Sequence, residues 1–278
     1  MSAVMNIIAL PALTDNYIWL LHNGQQAVVV DPGEAAPVID ALHQYNLQLS
    51  AILVTHHHAD HVEGIKALRV YLQRGHSGGD GKVWGPATED IAQPYEGLKE
   101  GCTLRLLGMD ITVLDVPGHT AGHIAYYVPA QPGVDGAKGL KGLAEPVVFT
   151  GDTLFSAGCG RLFEGTAKQM EVSLAKLAAL PAATRVYCAH EYTLSNLEFA
   201  HAVEPDNDAV MAYMAHCRQL RGQNIPTLPS TIAQELLINP FLRTQKPAII
   251  NAVRAHAAKT GSDGLPVFAA LRSWKDVF

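Results

Sequence analysis

Four potential metal donors crowd into six consecutive residues of this chain: His56, His58, Asp60 and His61, within Thr55-His56-His57-His58-Ala59-Asp60-His61. An apolar run, Ala51–Val54, leads into them and a helical pattern follows. In an extended segment side chains two apart share a face, so His56 and His58 are expected to converge on one metal while His57 points away. Asp60 and His61 fall on the turn into the helix and can face a second ion. Imidazole nitrogens with carboxylate oxygens and no thiolate suit zinc, with manganese or iron(II) as alternatives. A tag-like chance run is the poorer account, since tags lie at chain ends and lack the interleaved aspartate. Three more residues each follow a strand-like run and precede a turn, where ligands collect in layered α/β folds. They are His119 in Pro117-Gly118-His119-Thr120, Asp152 in Thr150-Gly151-Asp152-Thr153, and His190 in Cys188-Ala189-His190-Glu191-Tyr192. Alone, each would read as a turn or capping residue. Beside the first cluster they read as further donors.

The elements that must position these residues are legible as short β-branched runs closed by turn signals: Tyr17–Leu21, Ala27–Val30 ending in Asp31-Pro32-Gly33, Ala51–Val54, Ile111–Val116, Ile124–Val128 and Val147–Phe149. Helical patterns lie between some of them, at Glu34–Tyr45 with a proline in its first turn, Val62–Gln73 and Ala167–Leu180. From Thr193 onward strand signals stop. Helices are expected at Thr193–His201, Asn207–Arg221, Thr231–Leu237, Ala248–Lys259 and Pro266–Trp274. The shift predicts an α/β domain over residues 1–190 and a small helical domain over 191–278. Two Gly-rich stretches, Gly75–Gly81 and Pro132–Gly142, read as surface insertions.

Of the 278 residues, 48% are hydrophobic and 17% charged, enough apolar content to bury a sizeable core and too little charge for a disordered chain. The net charge of −6 argues against a nucleic-acid or anionic-membrane binder. Residues 239–278 nevertheless carry six basic against two acidic residues, a local +4 that could hold an anionic substrate. The first basic residue is Lys66, so no secretory or import signal is expected, and no apolar run is long enough to span a membrane. The four cysteines are scattered without CxxC spacing, which suggests reduced thiols. A cytoplasmic monomer is the expectation.

Taken together, Thr-His-X-His-X-Asp-His, Pro-Gly-His-Thr, Gly-Asp-Thr and Ala-His-Glu-Tyr-Thr resemble the metallo-β-lactamase superfamily. More narrowly the chain resembles glyoxalase II, the hydroxyacylglutathione hydrolases, through Thr14-Asp15-Asn16-Tyr17, Asp31-Pro32-Gly33, Phe155-Ser156-Ala157-Gly158-Cys159-Gly160-Arg161, Asn239-Pro240-Phe241-Leu242-Arg243 and Arg272-Ser273-Trp274-Lys275. The resemblance implies an αββα sandwich followed by a small all-helical, glutathione-binding domain. It also implies two divalent ions, most simply zinc: His56, His58 and His119 on the first, Asp60, His61 and His190 on the second, and Asp152 bridging. A hydroxide between the ions would cleave S-D-lactoylglutathione to glutathione and D-lactate, in methylglyoxal detoxification. Asp60 and Asp152 are thereby implied in catalysis, and Arg161, Tyr192, Arg272 and Lys275 in contacts with the glutathione moiety. Phe163 stands where some members carry a substrate-binding tyrosine, and Arg161 where some carry lysine. The competing reading is another enzyme of this fold, such as a persulfide dioxygenase or a different thioester hydrolase.

Overall fold

Strands buried on both faces lose the usual alternation, and that is how the centre of the N-terminal half is built. A computed structural model describes residues 5–73, 81–131, 143–260 and 264–278. The chain packs as two compact units, residues 1–115 with 122–151, and residues 116–121 with 152–278. This partition differs from the composition shift near residue 190. The Gly-rich stretch 132–142 lies outside the described residues, as does 75–81 except for Gly81.

In the first unit β1 (Asn6–Ala12), β2 (Asn16–His22) and β3 (Gln26–Val30) run antiparallel. After helix α1 (Ala36–Gln44), β4 (Gln48–Leu53) joins β3 in parallel. The helices α2 (Ala59–Val62) and α3 (Ile65–Gln73) follow, and then β5 (Lys82–Pro86) and β6 (Glu96–Leu98) complete a six-stranded sheet in sequence order. The strands β7 (Thr103–Leu106), β8 (Met109–Asp115), β9 (Ile124–Val128) and β10 (Val147–Gly151) form an antiparallel meander. Val38 and Leu42 of α1 and Ile65 and Leu68 of α3 pack on Ile18, Leu20, Val29 and Ile52 of the first sheet. Truncating one such side chain, as in Leu42→Ala, is worth about 2–5 kcal/mol.

The helix expected over Val62–Gln73 is broken at Glu63-Gly64. The cause is a close approach: Gly64 N donates to the Pro32 carbonyl at 2.9 Å, and a Cβ on Gly64 would stand 2.5 Å from that oxygen. A Cβ on Gly33 would in turn stand 1.9 Å from the Asp60 carbonyl. The Asp-Pro-Gly turn and the start of α2 are therefore held backbone against backbone, which fixes where Asp60 and His61 sit.

In the second unit residues 116–121 are followed, from residue 152, by a hairpin, β11 (Leu154–Phe155) paired with β12 (Gly158–Cys159). Helix α4 (Ala167–Ala178) starts in a reciprocal Thr166/Gln169 capping box. Strand β13 (Arg185–Cys188) carries the chain to His190. The remainder is helical: α5 (Thr193–Val203), α6 (Asp208–Gly222), α7 (Ile232–Ile238), α8 (Pro247–Thr260) and α9 (Val267–Asp276). The exception is a two-residue strand, β14 (Ser230–Thr231), antiparallel to β13. Leu197 and Ala200 of α5, Val210 and Met214 of α6 and Ile238 of α7 form one buried apolar cluster of this unit with Ala157 of the hairpin.

Candidate active site

The segment after β4 is a bent loop and not the extended strand expected from alternation. Its backbone leaves the sheet because side chains capture it. Thr55 N donates to Asp31 Oδ1 at 2.7 Å, and His57 N donates to Glu89 Oε2 at 3.0 Å. The expected outcome for the side chains stands all the same. His56 Nε2 and His58 Nδ1 lie 3.1 Å apart, while His57 turns to buried Glu89, which its Nδ1 contacts. In α2, His61 Nε2 lies 3.3 Å from Asp60 Oδ2, and the His56 and His61 rings are 4.1 Å apart. The first unit thus clusters four of the predicted donors.

Two rings of that cluster, those of His61 and His56, have an oxygen behind them. His61 Nδ1 faces Asp31 Oδ2 at 3.1 Å. His56 Nδ1 faces Thr55 Oγ1 at 3.0 Å, and that hydroxyl donates onward to Asp31 Oδ2 at 2.7 Å. Because the Thr55 hydroxyl donates to Asp31, it accepts from His56 Nδ1, which leaves the lone pair on His56 Nε2, and the Asp31 carboxylate behind His61 Nδ1 favours the same tautomer there. Asp60 is held in turn by Asn16 Nδ2, 2.9 Å from its Oδ2.

The second unit clusters the other three. Asp152 Oδ2 lies 3.4 Å from His119 Nε2 and 3.3 Å from His190 Nε2, so one carboxylate oxygen stands beside both imidazoles. His119 Nδ1 donates to the Arg161 carbonyl at 2.9 Å, which leaves the lone pair on Nε2. His190 is gripped by aromatic rings, stacked on Tyr192 at 4.7 Å and met edge-on by Phe155. Two ligands about 2.0–2.2 Å from a shared ion stand roughly 2.8–3.6 Å apart, depending on the coordination angle. All four donor spacings fall in that range. The donor chemistry, the spacings and the oxygens behind His56, His61 and His119 therefore fit divalent metal ions.

A cavity of about 490 Å³ in the second unit is lined by His119 and Asp152 and also by Arg161, Tyr192, Arg272 and Lys275. All four residues predicted to meet a substrate thus share a wall with two of the predicted ligands. Their circumstances differ. Arg161 is well exposed, with Nε 3.9 Å from Asp276 Oδ1. Arg272 is only 3% exposed; its Nη1 donates to the Cys159 carbonyl and its Nη2 to Asp276, both at 2.9 Å. Lys275 Nζ lies over the Phe199 ring and 3.3 Å from the Ser195 carbonyl. Burial and, after it, the Arg272 charge bring its pKa down to about 8. Phe163 meets His119 edge-on at 5.3 Å on the same wall. The Cys159 thiol is pushed up by burial, an effect the Arg272 charge only partly offsets, so it sits there as an unreactive thiol.

Sequence reasoning passed over the supporting residues Asp31, Thr55, Glu89 and Asn16, and also His123, buried with its ring stacked on His56 at 4.6 Å. Asn16 and Asp31 lay within the quoted motifs, so the signal was present without a role attached to it.

A family model described as the metallo-beta-lactamase superfamily matches residues 13–190, which gives this part of the chain its fold. A second, described as the hydroxyacylglutathione hydrolase C-terminus, matches residues 191–278. A hydroxyacylglutathione hydrolase from Albidiferax ferrireducens is 53% identical over 274 residues, covering 99% of this chain and all of the relative. One from Cupriavidus taiwanensis is 52% identical over 277 residues with the same coverage. Among solved structures, TTHA1623 in a di-iron-bound form aligns with a TM-score of 0.55 at 26% identity, over 85% of this chain and all of that one. Within the metallo-β-lactamase superfamily, the chain belongs to the hydroxyacylglutathione hydrolase family.

Proposed function

We propose that the chain hydrolyses S-(2-hydroxyacyl)glutathione thioesters, S-D-lactoylglutathione foremost, to glutathione and the free 2-hydroxy acid. The observation that carries this reading is the shared cavity, in which His119 and Asp152 stand on one wall with Arg161, Tyr192, Arg272 and Lys275. His56, His58 and His119 would hold one divalent ion, Asp60, His61 and His190 a second, and Asp152 would bridge them. The closeness of Asp152 Oδ2 to both His119 and His190 supports the bridging role. When bound, such a pair supplies water ionised near neutral pH and a Lewis acid for the carbonyl oxygen. Zinc suits the donors, and the di-iron form of TTHA1623 makes iron the first alternative.

The chain's own residues then bind and orient. Arg161 and Lys275 present cations to the glutathione carboxylates, chiefly that of its glycine, and Arg272 adds charge from behind them. Tyr192 fixes His190 by stacking and gives the cavity an aromatic wall. The leaving thiolate has an ordinary pKa near about 8.5 and needs no general acid, which suits a cavity where the one buried thiol is inert. The functional division follows residues 1–190 for the chemistry and 191–278 for glutathione recognition. No described helix is long and apolar enough to cross a membrane. A cytoplasmic monomer serving methylglyoxal detoxification, with no nucleic-acid or membrane partner, completes the reading.

The test is hydrolysis of lactoylglutathione by metal-loaded protein, beside a β-lactam and oligonucleotides, before and after chelation. Thioester cleavage that chelation abolishes and zinc restores is expected. Preference for the β-lactam or the nucleic acid would overturn the reading.

A further inference from the structure

One buried polar cluster in the second unit contains none of the predicted metal donors, and it is built around the β11–β12 hairpin. Glu235, in α7, is fully buried, with Oε1 accepting from Ser156 Oγ at 2.9 Å and Oε2 from Ala157 N at 2.7 Å. Asn239, one turn later and equally buried, directs Nδ2 to the Phe155 carbonyl at 3.1 Å, the Gly158 carbonyl at 2.9 Å and Glu235 Oε2 at 3.1 Å. Asn196 Nδ2 donates to the Ser156 carbonyl at 3.1 Å. At the tip Ala157 holds φ at 57°, a left-handed conformation that an alanine keeps only when its surroundings impose it.

What this short hairpin carries explains so many buried bonds. The Phe155 ring meets both His190 and Tyr192 edge-on. At the other end the Cys159 carbonyl accepts from Arg272 Nη1. Two residues past the metal-ligand candidate Asp152, the hairpin therefore touches an aromatic wall and a buried cation of the same cavity. We propose that Glu235 and Asn239 are positioning residues, which hold the β11–β12 hairpin so that Arg272, Tyr192 and His190 keep their places around the substrate. The inference rests on the glutathione reading above. Neither residue touches the cavity, so both act through the hairpin. Burial pushes the Glu235 carboxyl above its ordinary value, toward the neutral form, and a glutamine can fill the same place: its oxygen accepts from Ala157 N and Asn239 Nδ2, while its amide donates to Ser156 Oγ and reverses that one bond.

The experiment compares Glu235→Ala, Asn239→Ser and Glu235→Gln with the parent enzyme, well below each melting temperature. It measures KM and kcat for lactoylglutathione and, by calorimetry, binding of the unhydrolysable thioether S-methylglutathione. Loss of the clamp should weaken thioether binding and raise KM roughly five- to tenfold in the first two variants, the size expected when a buried hydrogen bond is lost. Glu235→Gln should stay within about twofold of the parent. A purely structural role would lower the melting temperature and leave the folded protein's binding unchanged, and that result would overturn the proposal. So would failure of both removal variants to fold while Glu235→Gln stays native, or a Glu235→Gln as damaged as Glu235→Ala. A parent enzyme that binds no S-methylglutathione would contradict the functional reading itself, whereas intact parental binding with unchanged variants contradicts this inference alone.

Discussion

The donor cluster at residues 56–61 and the cationic wall of the second-unit cavity are held in opposite ways. In the first, buried imidazoles have an acceptor behind Nδ1, and a single carboxylate, Asp31, serves both His61 and, through Thr55, His56. In the second, Arg161 is mostly in solvent and Lys275 is half-buried under two phenyl rings. A site that must place donor atoms within a few tenths of an ångström needs the first construction. One that draws in a carboxylate remote from the reacting bond can use the second.

Removing donors has the largest expected effect. His58→Ala or Asp152→Ala should lower activity by about a hundredfold or more and reduce the metal bound per chain, measured by elemental analysis. Asp31→Asn tests the support directly. It should lower metal affinity or activity about ten- to a hundredfold, although Asp31 is no ligand. Activity equal to the parent would mean that the rings hold their aim without it.

On the cationic wall the expected effects are smaller and of a different kind. Lys275→Ala should raise KM about tenfold with kcat nearly unchanged, the signature of binding shared equally by substrate and transition state. Arg272→Ala should do the same and also lower the melting temperature, because its loss strips Cys159 and Asp276 of a buried partner. A pH dependence follows from the pKa of about 8 at Lys275. Only the ammonium form attracts a carboxylate, so KM should be lowest below that pH and rise above it as the free enzyme loses the proton. Lys275→Arg should flatten the rise. The smallest effect belongs to His57→Ala, since that ring serves Glu89. Metal content should persist and activity stay within about threefold. A loss matching His58→Ala would show that the bent loop itself depends on the His57–Glu89 pair.

What was legible in the sequence follows the same contrast. Strands β2, β3 and β4 are buried runs of apolar residues and were read within one to three residues of their ends. Four donors in six residues announced themselves through spacing. The strands β1 and β7 were missed because their burial is partial, and β11, β12 and β14 because two residues carry no period. The break between α2 and α3 depends on a contact with Pro32 that no local pattern encodes. Arg161, Tyr192, Arg272 and Lys275 are far apart in sequence, so only family resemblance grouped them. It could not foretell that Arg272 would be buried with both Nη atoms engaged. Glu235 went unnoticed for a similar reason: in α7 it reads as an ordinary helical glutamate, and its burial is a property of the hairpin it meets.

The most direct test of glutathione thioester hydrolysis compares two substrates with one acyl group on metal-loaded enzyme. These are S-D-lactoylglutathione and the D-lactoyl thioester of a short thiol without carboxylates, each assayed with the parent and with Lys275→Ala. The expected result is that kcat/KM for the glutathione thioester exceeds the other by at least about tenfold, and that Lys275→Ala erodes only the glutathione value. Equal rates on the two thioesters, or equal losses on both in the variant, would contradict it.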